Sequence, residues 1–442
     1  MKLEGLTFRA GTHVEEYKSL SSGTEIVAIP APDEVILTMS QHIGAPAKPI
    51  VQKGDQVKVG QMIAEAGGFV SAPVYASVSG EVTGIIDYLT SAGSKVKAVV
   101  IQNDKQNTLG YEEVDRSIED LSAEDIVAYV KEAGIVGMGG AGFPTHVKLV
   151  PPKGMEVDSI IINGAECEPY LTCDDVTMRT MPEKVVEGLK LCMKASGAAK
   201  GYIAVEDNKP KAIELLEKAS AKEENISIAV MKTKYPQGDE KRIIDSVLGR
   251  HVPAGALPAA VGVIVTNVST ACAIADACLK GIPLYQRVLT VTGHGVNEPK
   301  NLLVPFGTKI KDIVAAAGGY AGTTGKIIFG GPMMGVAQSS DENVTDKRNN
   351  GVLVFTEEEA NLGPVSACIR CGRCVEACPV FLEPNYLSAA VLAEDWEASE
   401  KFFAHLCIEC GTCSFVCPAN RPLTESIRLG KSQVMAIQRN RK

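Results

Sequence analysis

The sequence predicts a multidomain protein of mixed α/β and α+β class. Three observations carry this. Short β-branched runs broken by Gly and Pro fill residues 1–110. Helix and strand signals alternate from 111 to 285. Two cysteine quartets of identical spacing stand near the C-terminus. A length of 442 residues allows several domains, each with its own core. The composition, 45% hydrophobic and 22% charged, is that of a soluble protein. A formal net charge of −9 argues against a general nucleic-acid binder. The opening MKLEGLTFRAGTHVEEYK lacks the apolar stretch of a secretory signal. Thirteen cysteines, eight of them in the quartets, then call for a reducing compartment.

Taken in order, residues 1–110 read as all-β, with strands over 25–29 and 96–101. The runs VQKGDQVKVGQMIA at 51–64 and APVYASVSGEV at 72–82 resemble the barrel-sandwich hybrid of lipoyl and biotinyl carriers. Those carriers present a modifiable Lys at the hairpin tip between the halves. Here the tip is EAGGFVS at 65–71, without Lys, so it reads as an unmodified structural or docking copy. Residues 111–285 form an α/β unit with a largely parallel sheet. Ser122 and Asp125 set a capping box before a helix that ends near Gly134. Strands follow at 158–162 and 202–205, and helices near 183–195 and 209–219. The uncharged stretch 254–275 is long enough to cross a bilayer. It contains Pro258, Gly262, Asn267, Ser269 and Thr270, and reads instead as a buried strand and a helix start. Residues 286–338 are a small β-rich unit with one helix near 310–317. An acidic, polar linker is expected at 339–354, then a compact unit at 355–442. The basic end (Arg428, Lys431, Arg439, Arg441, Lys442) reads as a solvated helix and tail.

The quartets are Cys368-x2-Cys371-x2-Cys374-x3-Cys378-Pro379 and Cys407-x2-Cys410-x2-Cys413-x3-Cys417-Pro418. This is the spacing of a two-cluster bacterial ferredoxin, where each run gives three thiolates to one [4Fe–4S] cube and the fourth to the other. The expected sets are Cys368, Cys371, Cys374 and Cys417, and Cys407, Cys410, Cys413 and Cys378. Paired zinc sites are the alternative, but zinc has no use for a third close Cys or the trailing Pro. Cys167 and Cys173 read as buried thiols, and Cys192, Cys272 and Cys278 as helix core. His146 and His294 read as polar loop residues.

Two further segments suggest a ligand. Gly137-Met-Gly139-Gly140-Ala-Gly142-Phe143-Pro144 has a formal G-x-G-x-x-G, but a helix precedes it and Pro144 follows at once. That is not a Rossmann context. Four glycines still allow backbone N–H groups close to a phosphate or a flat ring, with Lys148 as a nearby cation. A tight packing turn is the plainer reading. Asn163-Gly-Ala-Glu166-Cys167-Glu168 follows a buried strand, where ligands of open α/β sheets bind. Its carboxylates suit sugar hydroxyls or a nicotinamide; a solvated turn is the alternative.

Together, GMGGAGFPTHVKL, INGAECEPYLTCDD and the doubled quartet resemble the C subunit of the Rnf complex, an ion-translocating ferredoxin:NAD oxidoreductase of bacterial membranes. The resemblance covers essentially the whole chain. The middle is also similar to the flavin-bearing, NADH-oxidising subunit of respiratory complex I. That likeness implies a Rossmann-like flavin domain at 111–285 and a β-grasp (soluble-ligand-binding) domain at 286–338. It implies noncovalent FMN and NAD(H) as substrate; the quartets add two [4Fe–4S] clusters in a ferredoxin-like domain, where complex I carries one cluster in a helical bundle. Partners would be the other Rnf subunits and, indirectly, ferredoxin, at the cytoplasmic face of the membrane. Carried over by position, Gly137, Gly139, Gly140 and Gly142 match the flavin and dinucleotide loop, Phe143 an aromatic near NADH, and Lys148 a flavin-contacting Lys. Asn163 and Glu166 match flavin-site groups and Glu168 an NADH-contacting acid. Tyr202, Glu206 and Asp207 match a Tyr and acid pair at the flavin edge, and Asn267 and Thr270 the flavin phosphate site. No acid–base residue in the strict sense is implied. Met138, Ala165 and Thr266 depart from complex I, which has Arg, Asp and Asn there. A flavin- and cluster-bearing cobalamin reductase of diol-dehydratase microcompartments shares the domain order and is the alternative; CDD and the regular quartets favour Rnf.

Overall fold

The computed structural model describes residues 2–90, 93–152 and 154–441. At its centre is a five-stranded sheet in which every described pairing is parallel. Its order is Lys2–Leu6, Ile226–Met231, Lys200–Glu206, Ser159–Gly164, Val263–Asn267. Apolar runs such as Ile160, Ile161 and Ile162 are buried on both faces, as a covered parallel sheet requires. Helices Pro182–Ser196 and Pro210–Ala219 pack through Leu189 and Leu216 on one face. Helix Glu240–Leu248 covers the other through Ile243 and Ile244. The capping box forms, with Ser122 and Asp125 each satisfying the other's backbone.

Three strands run outward in sequence from Ser159–Gly164, and Val263–Asn267 then returns to its opposite side. Asn163 and Asn267 stand directly across from each other at the carboxyl ends. This reversal is the switch point where open α/β sheets bind ligands.

The barrel sandwich joins a four-stranded sheet (Glu34–Thr38, Lys95–Asn103, Gly80–Leu89, Gln56–Val57) to a three-stranded one (Lys48–Pro49, Met62–Glu65, Val74–Tyr75). The β-grasp unit is a six-stranded sheet with helix Ile310–Ala316 packed on it.

The unit boundaries differ from the expectation in two places. Two strands of residues 1–110 pair outside the barrel sandwich. Strand Lys2–Leu6 is the edge of the parallel sheet, and Ile26–Ala28 pairs with Lys300–Pro305 in the β-grasp sheet. A short β-branched run declares a strand but not its distant partner. Nor is 339–354 a linker. Gly351–Thr356 is an inner strand between Thr324–Phe329 and Gln286–Thr292, so the cluster unit starts after it. Lys347 is fully buried, and its ammonium donates to the carbonyls of Pro73 (2.8 Å) and Gly134 (2.7 Å). Burial pushes its pKa down to about 7. A polar composition concealed a pin between three units.

The uncharged stretch is the strand Val263–Asn267 followed by helix Val268–Ala275. Among the described residues no helix is long and apolar enough to cross a membrane. The basic terminal helix Leu423–Asn440 buries Leu423, Ile427 and Val434, while Arg428 and Lys431 pair with Glu409.

Candidate functional site

The glycine loop lies over the switch point. Gly137 N donates to Phe143 O at 2.9 Å and closes it. Met138 N donates to the Thr270 hydroxyl at 2.9 Å, and Met138 O accepts from the buried Arg287 guanidinium at 2.9 Å. A Cβ on Gly139 would lie 2.8 Å from Asn267 Cβ, so only glycine lets the loop approach this closely. Asn267 caps helix Val268–Ala275 through Ser269 N (2.9 Å) and donates to buried Asp174 at 2.7 Å. Gly139, Gly140 and Ala141 are exposed. Among the described residues nothing accepts from their N–H groups. Free backbone donors beside a helix N-terminus fit a phosphate. Ile43 N donates to Gly142 O at 3.1 Å, so the barrel sandwich rests on the loop.

The acidic loop 165–171 flanks it. Asn163 donates to Gly238 O at 2.8 Å. Glu166 accepts from Asp174 N (2.7 Å) and Asp175 N (3.2 Å), tying down the start of helix Cys173–Thr180. Glu168 accepts from Met333 N (3.0 Å), Met334 N (2.8 Å) and the Tyr235 hydroxyl (3.4 Å). Burial pushes both carboxyls up, Glu168 to about 7. Folded Glu168 therefore holds more protons than the unfolded chain between pH 4.5 and 7. Stability from this group falls as pH rises through that window. Glu168→Gln should flatten the decline by up to about 3 kcal/mol, read from urea midpoints of cofactor-free protein at pH 5 and 8. An unchanged slope would remove Glu168 as its source.

Cys378, Cys407, Cys410 and Cys413 line one small cavity, walled also by Pro379 and Ile427. Cys417 stands instead by Cys374, whose thiol is raised by burial and further by the charge of Cys417. Cys368 and Cys371 are exposed. Four soft thiols around one cavity fit an iron–sulfur cube. The Tyr235 hydroxyl donates to Cys410 O at 2.7 Å, joining the cluster unit to the acidic loop.

Known proteins match this arrangement in the same order. Family models match as "RnfC Barrel sandwich hybrid domain" over residues 6–106, "Nuo51 FMN-binding domain" over 130–276, "SLBB domain" over 288–337 and "4Fe-4S dicluster domain" over 364–421. The chain is 48% identical to the C subunit of the proton-translocating ferredoxin:NAD(+) oxidoreductase complex of Clostridium ljungdahlii, over 86% of this chain and 84% of the relative. It is 44% identical to the Na(+)-translocating counterpart of Acetobacterium woodii, over 99% of both. The chain belongs to the family of C subunits of ion-translocating ferredoxin:NAD(+) oxidoreductases. Full-length identity at this level sets the cobalamin reductase aside. A chain of an NAD+-reducing [NiFe]-hydrogenase shares the fold, with TM-score 0.50 and 20% identity over 71% of this chain and 61% of that one.

Within this C subunit the expected residues divide. The four glycines, Phe143, Asn163, Glu166, Asn267 and Thr270 gather at the switch point. Lys148 lies beside it, donating to Val265 O (2.9 Å) and Glu240 (2.6 Å). Glu206 and Asp207 end the neighbouring strand; Glu206 faces buried Lys209, and Asp207 holds Thr233. Tyr202 is a correction. It sits in the amino half of its strand, paired between Ile161 and Ser227, and packs on the core of Ile243, Ile244 and their neighbours. It lies four residues before Glu206, the last residue of the strand, and so stands back from the carboxyl edge. Met138, Ala165 and Thr266, the departures from complex I, are all buried.

Sequence reasoning passed over the segment Tyr235-Pro-Gln-Gly-Asp-Glu240. It crosses the carboxyl edge, touching Glu168 through Tyr235, Asn163 and Cys167 through Gly238, and Lys148 through Glu240. The signal was there: a Pro–Gly turn straight after a buried strand. Lys18 and Lys209 gave no such sign.

Proposed function

We propose that this C subunit is the NAD(H)-reacting, peripheral member of a membrane-bound ferredoxin:NAD+ oxidoreductase complex coupled to Na+ or H+ transport. FMN, held noncovalently at the switch point, supplies the exchange between two-electron hydride chemistry and one-electron cluster chemistry. Gly139, Gly140 and Ala141 offer N–H groups to its phosphate, with Gly137, Gly142 and Phe143 shaping the loop. Asn267 and Thr270 keep that loop on its helix, and Lys148 contributes positive charge beside it. Asn163 and Glu166 hold the adjoining backbone, while Glu168, Glu206 and Asp207 line the edge where a dinucleotide would enter. The chain positions its ligands and excludes water; no side chain is assigned a proton-transfer step.

The clusters take Cys368, Cys371, Cys374 and Cys417, and Cys407, Cys410, Cys413 and Cys378. One observation carries the reading. The Tyr235 hydroxyl lies 3.4 Å from Glu168 and 2.7 Å from Cys410 O, so one side chain spans the gap between dinucleotide edge and cluster loop. The exposed Cys368 and Cys371 then face the partner subunits, through which the chain meets the cytoplasmic face of the membrane.

Protein reconstituted with iron, sulfide and FMN should show its flavin absorbance bleach when NADH is added anaerobically. A flavin that stays oxidised overturns the proposal.

A further inference from the structure

The amino-terminal residues form a strap across the carboxyl edge of the parallel sheet. Gly11 N donates to Ala377 O at 3.1 Å. Thr12 and Tyr235 exchange both backbone hydrogen bonds at 2.8 Å. Tyr170 N donates to Glu16 O at 2.7 Å, and the Tyr17 ring stacks on Tyr170 at 4.7 Å. The strap thus delivers Lys18 into the interior. Its ammonium donates to the carbonyls of Glu166 (2.8 Å), Glu168 (3.0 Å) and Leu171 (2.6 Å). Three donors are all a lysine has, so none is left for a carboxylate.

The carbonyls can converge because the loop is contorted. Glu166 and Tyr170 take φ of +50° and +69°, conformations a non-glycine residue keeps only when its surroundings impose them. With the carbonyls drawn inward, the Glu166 carboxylate meets Asp174 N and the Glu168 carboxylate meets Met333 N and Met334 N. A cleft of about 210 Å³, lined by His13, Glu16, Lys18, Cys167, Glu206 and Tyr235 among others, lies between strap and edge.

We propose that Lys18 is a positioning residue: one ammonium from the strap gathers three carbonyls of loop 165–171 and so sets the Glu166 and Glu168 carboxylates in place. Its consequence for NAD(H) rests on the function proposed above. Its consequence for the loop does not.

The test uses the full chain. Lys18→Met keeps the length and removes every donor. In cofactor-free protein, amides of 165–172 should exchange hydrogen at least about tenfold faster, with those of strand Ser159–Gly164 and helix Leu423–Asn440 unchanged. With FMN and clusters present, KM for NADH should rise about tenfold while kcat falls less. Lys18→Gln keeps two donors and should fall between on both readouts; it replaces the Met variant if that does not fold. Faster exchange spread evenly over the sheet would make Lys18 a general brace and overturn the proposal, as would an unchanged loop with an unchanged KM. If wild-type protein takes no FMN, the function proposed above fails, and the cofactor-free exchange still decides Lys18.

Discussion

Replacing Cys378 with serine should empty the site of the second quartet and leave that of the first filled. Cys378 belongs by sequence to the run that starts at Cys368, yet it lines a cavity with Cys407, Cys410 and Cys413. Cys417 belongs to the second run and stands by Cys374. A cube needs four thiolates, so losing the fourth of either run costs the cube its partner run builds. Iron content should fall by about half in Cys378→Ser, and equally in Cys417→Ser. Double variants separate crossed from uncrossed ligation. Cys378→Ser with Cys410→Ser should lose no more iron than Cys378→Ser alone. Cys378→Ser with Cys371→Ser should lose nearly all of it. The opposite ranking would mean that each quartet closes on its own cube. The single variant should also stop electrons between NADH and an external acceptor, because the cavity of the second quartet is the one tied to the dinucleotide edge through Tyr235.

Much of this molecule was legible because its signals are local. Cysteine spacing, the capping box at Ser122 and the buried strand at Ile160–Ile162 each declare themselves within about one turn or one strand of sequence. What stayed hidden are residues whose meaning lies in distant partners. Lys347 sits in a polar run and reads as linker, yet carbonyls 274 and 213 residues away satisfy it. Lys18 reads as part of a surface segment, and its acceptors are about 150 residues on. An ammonium whose hydrogen bonds all go to distant backbone carbonyls leaves no local signal in the sequence. Tyr202 failed for a different reason. Its spacing from Glu206 matched a family pattern, but position along a strand decides which end of the sheet a side chain occupies, and Tyr202 lies four residues before the edge residue Glu206.

Gly139→Val should cost the protein its flavin while its clusters remain. A Cβ at this position would stand 2.8 Å from Asn267 Cβ and 2.9 Å from its Cγ and Nδ2. Contacts under 3.0 Å are not tolerated, so something must move. If Asn267 moves, helix Val268–Ala275 loses its cap, worth about 1 kcal/mol. Asp174 loses a charge-assisted hydrogen bond worth about 1.5–3 kcal/mol. If the loop lifts instead, Met138 N leaves the Thr270 hydroxyl and the free N–H groups leave the switch point. Either route should weaken FMN binding about a hundredfold, near 2.7 kcal/mol. The control is one residue away. A Cβ on Gly140 meets nothing within 4 Å and points into open space. Gly140→Ala should leave the melting temperature of cofactor-free protein unchanged and weaken FMN about tenfold, by crowding the face the phosphate would use. Fluorescence titration with FMN reads both variants, and cluster absorbance reports the rest of the fold. If Gly140→Ala binds FMN as the wild type does, the exposed face of the loop does not hold the flavin. If Gly139→Val does too, the contact with Asn267 is only packing.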